Sequence, residues 1–149
     1  MAKSNKGTTL WACATAQNTD LDQAAFTALT WVQVNQVGSI GETGPNTNML
    51  TYDTLDTTVS QKDKGITNAG DPAIEVARVP TDPGQILLRA QGAPTNYDAF
   101  AFKMVKRDGT IMYNRGKVTG PLRPNGRNED FDLETYTLGL EQLEIVVNP

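Results

Sequence analysis

Histidine is absent from this sequence, and cysteine occurs once, as Cys13. Without histidine the chain lacks the usual general base and the commonest metal ligand. Ser-His-Asp and Cys-His nucleophilic arrangements are therefore impossible. One thiol cannot close an intramolecular disulfide, and one cysteine plus carboxylates is an implausible zinc donor set. Cys13 follows Trp11 in an apolar patch and reads as a small buried hydrophobe rather than a nucleophile. Aromatic residues make up only 7% of the chain. No apolar run approaches the ~18 residues of a membrane-spanning helix. The opening MAKSNKGTTLW has basic residues but no apolar stretch of the signal-peptide kind, so cytoplasmic synthesis is the default expectation. Positive charge is also in short supply, with 13 Lys and Arg against 17 Asp and Glu, a net charge of −4. Such a domain lacks the electrostatic footprint of a nucleic-acid binder.

Carboxylates are plentiful, and a pair of them can hydrolyse glycosides. Asp53 with Asp56, or Asp132 with Glu134, could nominally form one. Alternation across Phe131–Glu134 puts Phe131 and Leu133 inward and Asp132 and Glu134 outward, the pattern of a solvated face. The acidic positions do not follow EF-hand spacing. Gly38, Gly41 and Gly44 are spaced GxxGxxG, neither the dinucleotide nor the P-loop pattern, and read as turn glycines. No cofactor or metal is expected, and the chain does not read as an enzyme.

What is abundant is Thr, Asn, Gly and Asp in short alternating runs, the composition of a β-rich chain with many turns. At 149 residues it is expected to form one domain, 1–149. The strongest local signal is Asp108-Gly109 between Tyr97–Arg107 and Thr110–Val118, which predicts a hairpin with a two-residue turn. That turn would pair Val105 with Met112, Met104 with Tyr113 and Phe102 with Arg115. Phe100, Phe102, Met104, Ile111 and Tyr113 would then share a core face. Further strands are expected at Trp31–Ile40, with a bend at Gly38, and at Met49–Asp56, Pro72–Val79, Asp130–Thr137 and Leu140–Val147. Residues 1–16 read as an N-terminal arm that includes a short strand or extended piece at Thr8–Ala16. A single helical turn capped by Asp20 is expected before Ala24. One good helix follows Asp82, with Pro83 at its first position, Gln85 in a capping box, and Ile86, Leu87 and Ala90 as its apolar face. Phe102 and Met104 should be buried against Ile86 and Leu87. Residues 57–71 show no period and read as a long exposed loop, of a length that compact domains seldom keep without a use.

Taken in order, these pieces resemble the tail tube (major tail) proteins of long-tailed, siphovirus-type bacteriophages. The matching features are the arm at Lys6-Gly7-Thr8 and Trp31 opening a strand that ends Val37-Gly38-Ser39-Ile40-Gly41-Glu42. Leu50–Asp56 comes next, then the long loop reaching Gly65–Asp71, the helix and the Asp108-Gly109-Thr110 hairpin. Gly126–Asp130 precedes the final strand pair. The resemblance covers essentially the whole chain, and its specificity lies in the order and spacing of short motifs. The loop Thr57–Thr67 departs from the pattern.

The resemblance implies a mainly β fold: a β-sandwich or partly closed β-barrel with one short flanking helix and a long strand-connecting loop. It further implies hexameric rings that stack into a tail tube, a conduit for DNA delivery in the virion, assembled in the host cytoplasm. Its partners would be other copies of itself, the tape-measure protein, and the tail terminator and tail-tip proteins. DNA would pass through the lumen without specific binding, and no membrane would be engaged. The inter-ring contact is expected from the loop Thr57, Thr58, Val59, Ser60, Gln61, Lys62, Asp63, Lys64, Gly65, Ile66, Thr67, Asn68, Ala69 and Gly70, mobile in the free subunit. An acidic lumen would avoid holding DNA phosphates, which bind through Lys and Arg; Asp53, Asp56, Asp132 and Glu134 are the candidates. The alternative from a different class is a monomeric β-sandwich module for carbohydrate or receptor recognition.

Overall fold

A computed structural model describes residues 2–149. Among these residues the strands are β1 (Thr9–Ala12), β2 (Val32–Val34), β3 (Val37–Ile40), β4 (Asn46–Tyr52) and β5 (Gln61–Asn68). The rest are β6 (Ala73–Ala77), β7 (Phe100–Val105), β8 (Ile111–Leu122), β9 (Leu133–Leu140) and β10 (Ile145–Val147). There are two helices, α1 (Gln23–Thr27), where the single helical turn is expected, and α2 (Pro83–Gln91). Eight strands form an antiparallel sheet in the order β2-β1-β7-β8-β9-β6-β3, with β10 beside the first part of β8. β4 and β5 pair only with each other.

The sheet is curled. Its two outermost strands, β2 and β3, are consecutive in sequence and separated only by Asn35 and Gln36. Three Cα steps span at most ~11 Å, so the two edges of the sheet must come close together. Gln36 makes the crossing in the left-handed region, at φ 61°. Among the described residues no hydrogen-bonded ladder joins β2 to β3, so the curled sheet keeps a seam and does not close into a barrel.

The β7–β8 hairpin sits mid-sheet, and its register differs from the expected one by one residue. Phe102 faces Asn114, Met104 faces Met112, and Val105 faces Ile111. The turn has three residues rather than two. Gly109 N–H donates to Lys106 O, Lys106 N–H donates to Thr110 O, and Gly109 alone takes positive φ, at 96°. This is the longer hairpin loop that closes with a glycine bulge. A one-residue slip moves side chains to the opposite face. Met112 therefore joins Phe100, Phe102, Met104 and Val118 inside the curl. Ile111 and Tyr113 go to the other face, with Ala101.

Both faces of the hairpin are consequently packed. Inside the curl lie Leu10, Ile74, Val76, Tyr136 and Leu138, with Leu88 of α2 as the plug. Outside, Phe26 of α1 stacks on Tyr113 at 5.0 Å between ring centroids, and Cys13, Trp31 and Ile145 pack around them. Cys13 is buried, as expected. Asp22, not Asp20, caps α1 by accepting from Ala25 N–H.

α2 begins as expected at Asp82, whose carboxylate accepts from Gln85 N–H at 3.0 Å. Its inward face is Gly84, Gln85, Leu88 and Gln91, while Ile86 is exposed and Leu87 only half-buried. Gly84 is required there, because a Cβ would overlap Gln33 O and Val34 Cα. The Gln85 side chain does not complete a capping box. It accepts from Val79 N–H and donates to Asn35 O and Ala77 O, tying the helix to the β2–β3 link and to the end of β6.

Candidate assembly surfaces

The segment expected to be a long loop is largely a strand. Gln61–Asn68 forms β5 and pairs along β4, with Met49 opposite Lys64, Leu50 opposite Asp63, Thr51 opposite Lys62 and Tyr52 opposite Gln61. The two strands form a ribbon that leaves the body between Gly41 and Gly70. Nearly every residue in it is exposed. Of the residues proposed as the inter-ring contact, Thr57, Thr58, Val59 and Ser60 lie in the tip turn, and Gln61 through Asn68 lie in β5. Ala69 is buried in the core, and Gly70, at φ 123°, accepts from Leu140 N–H. These last two are the anchor of the ribbon rather than part of its free surface.

Cross-strand partners share a face and neighbours alternate. One face of the ribbon therefore carries Leu50, Tyr52, Gln61 and Asp63, and the other Met49, Thr51, Lys62 and Lys64. Met49, Leu50, Tyr52 and Ile66 are all more than half exposed, as are Leu55 and Val59 at the tip. A free two-stranded ribbon is marginal in water, and this one holds its apolar side chains in water on both faces and at the tip.

The four acidic candidates do not converge. Asp53 and Asp56 are exposed at the ribbon tip, where Asp56 accepts from the Thr54 hydroxyl. Asp132 is exposed and paired with Arg78 at 3.2 Å. Glu134 overturns the expected parity. The inward residues of β9 are Glu134, Tyr136, Leu138 and Leu140, and Glu134 has no exposed surface. Phe131, expected inward, precedes β9 and is 82% exposed. Glu134 is therefore withdrawn from any lumen-facing surface of the protomer. Its Oε1 accepts from Arg89 and its Oε2 from Arg123, each at 3.1 Å or less. Beside this cluster, burial pushes the Tyr136 hydroxyl up to about 12, with the Glu134 charge adding to the effect.

A second surface lies between β3 and the β7–β8 hairpin. Among the described residues the far edge of β3 has no strand partner. It borders a groove of about 420 Å³ lined by Val37–Gly41, Thr43, Met104, Lys106, Met112, Asn5 and Thr8. The N-terminal segment crosses the β7–β8 turn here. Gly7, at φ 87°, is placed so that a Cβ would touch the Arg107 side chain. Asp108 in that turn accepts from Thr110 N–H, which holds its carboxyl below the usual range, and nearby Lys3 acts in the same direction. Sequence reading missed this groove because β3 and the hairpin turn lie far apart in the chain.

Buried polar groups hold these surfaces in place. Asp82 accepts from the side-chain amide of Asn35 at 2.6 Å as well as from Asn35 N–H and Gln85 N–H. Burial opposes its charge, but these hydrogen bonds and Arg89 outweigh burial and hold its carboxyl below the ordinary value. Arg115, nearly fully buried, bonds Asp20, Glu141, Gln142 and Gln17 O, pinning the segment after β1 to the end of β9. Lys103 lies over the rings of Trp11 and Trp31, at 5.0 and 5.2 Å. Among the described residues, no group of three or more Cys, Asp or Glu is placed to hold a metal ion.

No family model matches the sequence, and neither does any curated protein. Among solved structures, the chain is similar to one chain of the anti-feeding prophage (AFP) baseplate, determined by cryo-electron microscopy and 6-fold symmetrised. The TM-score is 0.62 at 8% identity, and the match covers 99% of this chain and 96% of that one. At that identity the likeness is one of fold.

Proposed function

We propose that this chain is a structural subunit of a bacteriophage tail, and that six copies form a ring which stacks into the tube through which DNA leaves the virion. The observation that carries the reading is the end-to-end fold match to a chain of a 6-fold symmetrised baseplate. Two features support it independently. The curled sheet ends in outer strands β2 and β3, and open strand edges are a liability unless they are paired or covered. The β4–β5 arm exposes apolar side chains that a free subunit has no reason to keep in water. In this reading the arm, not a loop, makes the contact between rings. Joining sheets around the ring would leave a bore, and Asp132 is the acidic candidate left for its lining, because Asp53 and Asp56 lie at the tip of the arm. The partners are further copies, the tape-measure protein inside the tube, and the tail terminator and tail-tip proteins at its ends. The role is mechanical and not enzymatic, and its site is the virion.

Sedimentation velocity across a concentration series tests the ring. A species of six times the protomer mass, or a ladder of its multiples, is the expected result. A single protomer-sized boundary at every concentration would count against the proposal.

A further inference from the structure

We propose that the groove beside β3 is the receptor for the β4–β5 arm tip of a second copy of this chain. The inference rests on the self-assembly proposed above and specifies the surface that carries it.

The groove is concave and two-natured. Its floor is apolar, from Val37, Ile40, Met104 and Met112, and one wall is the unpaired edge of β3. Its rim is cationic. Lys106 lines it, Arg107 and Gly7 pack together beside it, Lys6 is next to Gly7, and Lys3 lies near Asp108. The carboxylates in this corner are Asp108, engaged by Thr110 N–H, Glu75, close to Gly38, and Glu42, exposed between the lining residues Gly41 and Thr43, three against the four cations. On a chain of net charge −4 this is a local excess of positive charge.

The arm tip is its complement. Tyr52, Leu55 and Val59 are 70%, 109% and 78% exposed. Asp53 and Asp56 are interspersed with them, and no Lys or Arg occurs from Asp53 to Ser60. Apolar knobs flanked by carboxylates match an apolar floor flanked by cations, an arrangement that fixes orientation as well as contact.

The occupant cannot be the chain's own tip. Gly41 and Thr43, at the root of the arm, form the lip of the groove. The seven residues of β4 then carry the tip ~23 Å away. Docking is therefore from one copy to the next, through two different surfaces. Such a heterologous contact forms rings or filaments, not closed pairs.

Cross-linking between two separately purified full-length variants tests this. S39C places a thiol on the exposed lip of β3, and L55C places one at the arm tip. Cys13 is buried and serves as the silent background. On mixing under mild oxidation, a disulfide between S39C and L55C chains is expected, mapped by mass spectrometry of the joined peptides. Adding K106E to the groove chain should reduce its yield about two- to fivefold, and D53K with D56K on the tip chain should restore it. Normal assembly without the S39C–L55C bond would overturn the docking while leaving the ring reading intact. Failure of the unmodified protein to assemble at any concentration would overturn both.

Discussion

Asp132 and Glu134 are two residues apart and look alike in sequence, yet the structure gives them opposite energetic weight. Asp132 is exposed and its partner Arg78 is 40% exposed in its side chain. Such a surface pair contributes ~0.2–1 kcal/mol, so Asp132→Ala should be almost silent. Glu134 has no exposed surface and each of its oxygens accepts from a guanidinium. Removing one partner of a buried pair costs ~3–5 kcal/mol, because the remaining charge is stranded. Here the low end applies, for two reasons. Arg89 keeps Val79 O and the Gln85 side chain as acceptors, and Arg123, 48% exposed, can turn to water. Glu134→Ala is therefore expected to cost ~3 kcal/mol, and Arg123→Ala under ~1 kcal/mol. Urea denaturation of the unassembled variants, followed by far-UV circular dichroism, measures all three. Equal and small losses for Asp132→Ala and Glu134→Ala would refute the assigned parity of β9.

Phe102→Ala, at the centre of the curled core, should cost ~3–5 kcal/mol; an unchanged melting temperature would remove Phe102 from the core. Asp82→Ala should cost ~0.5–2 kcal/mol as the loss of a helix cap. Because the folded-state pKa of Asp82 is lowered, its contribution is present above its unfolded value and lost as the pH falls through the folded one. The Asp82→Ala variant should therefore lose less stability than the parent on acidification. Tyr136 works in the other direction. Its pKa is raised to about 12 from 10.0, so its contribution is full below pH 10 and lost as the pH rises through about 12. Phenolate absorbance should show one late-titrating tyrosine that disappears in Tyr136→Phe. Replacing Thr47–Thr67 with a tight turn, keeping Ala69 and Gly70, should change stability by less than ~1 kcal/mol and abolish stacking; long tubes from that variant would exclude the arm as the inter-ring contact.

The parts of the fold legible in sequence were those where burial imposes a pattern. α2 was found from Asp82-Pro83, and β7 from the alternation of Phe100, Phe102 and Met104. β5 was not, because both faces of the ribbon meet water and no apolar period arises in QKDKGITN. The hairpin register slipped because Asp-Gly suits both a two-residue turn and the last two positions of a three-residue loop. The inward burial of Met112 decides between them. The β9 parity was read from Phe131 and Leu133, whereas the longer set Tyr136, Leu138 and Leu140 carries the inward phase. Glu134 falls in that phase, and its burial is possible because Arg89 and Arg123 arrive from elsewhere in the chain. The groove beside β3 had no local signal at all, since it exists only where β3 comes beside the β7–β8 hairpin.

The central claim is that this protein builds a six-fold ring and, from it, a tube. Cryo-electron microscopy of the purified full-length chain, concentrated at near-physiological salt, tests it most directly. The account predicts rings with six-fold averages, stacked into hollow tubes with the β4–β5 arm seated on the next copy. Fields of isolated protomers, or rings of another symmetry, would contradict it.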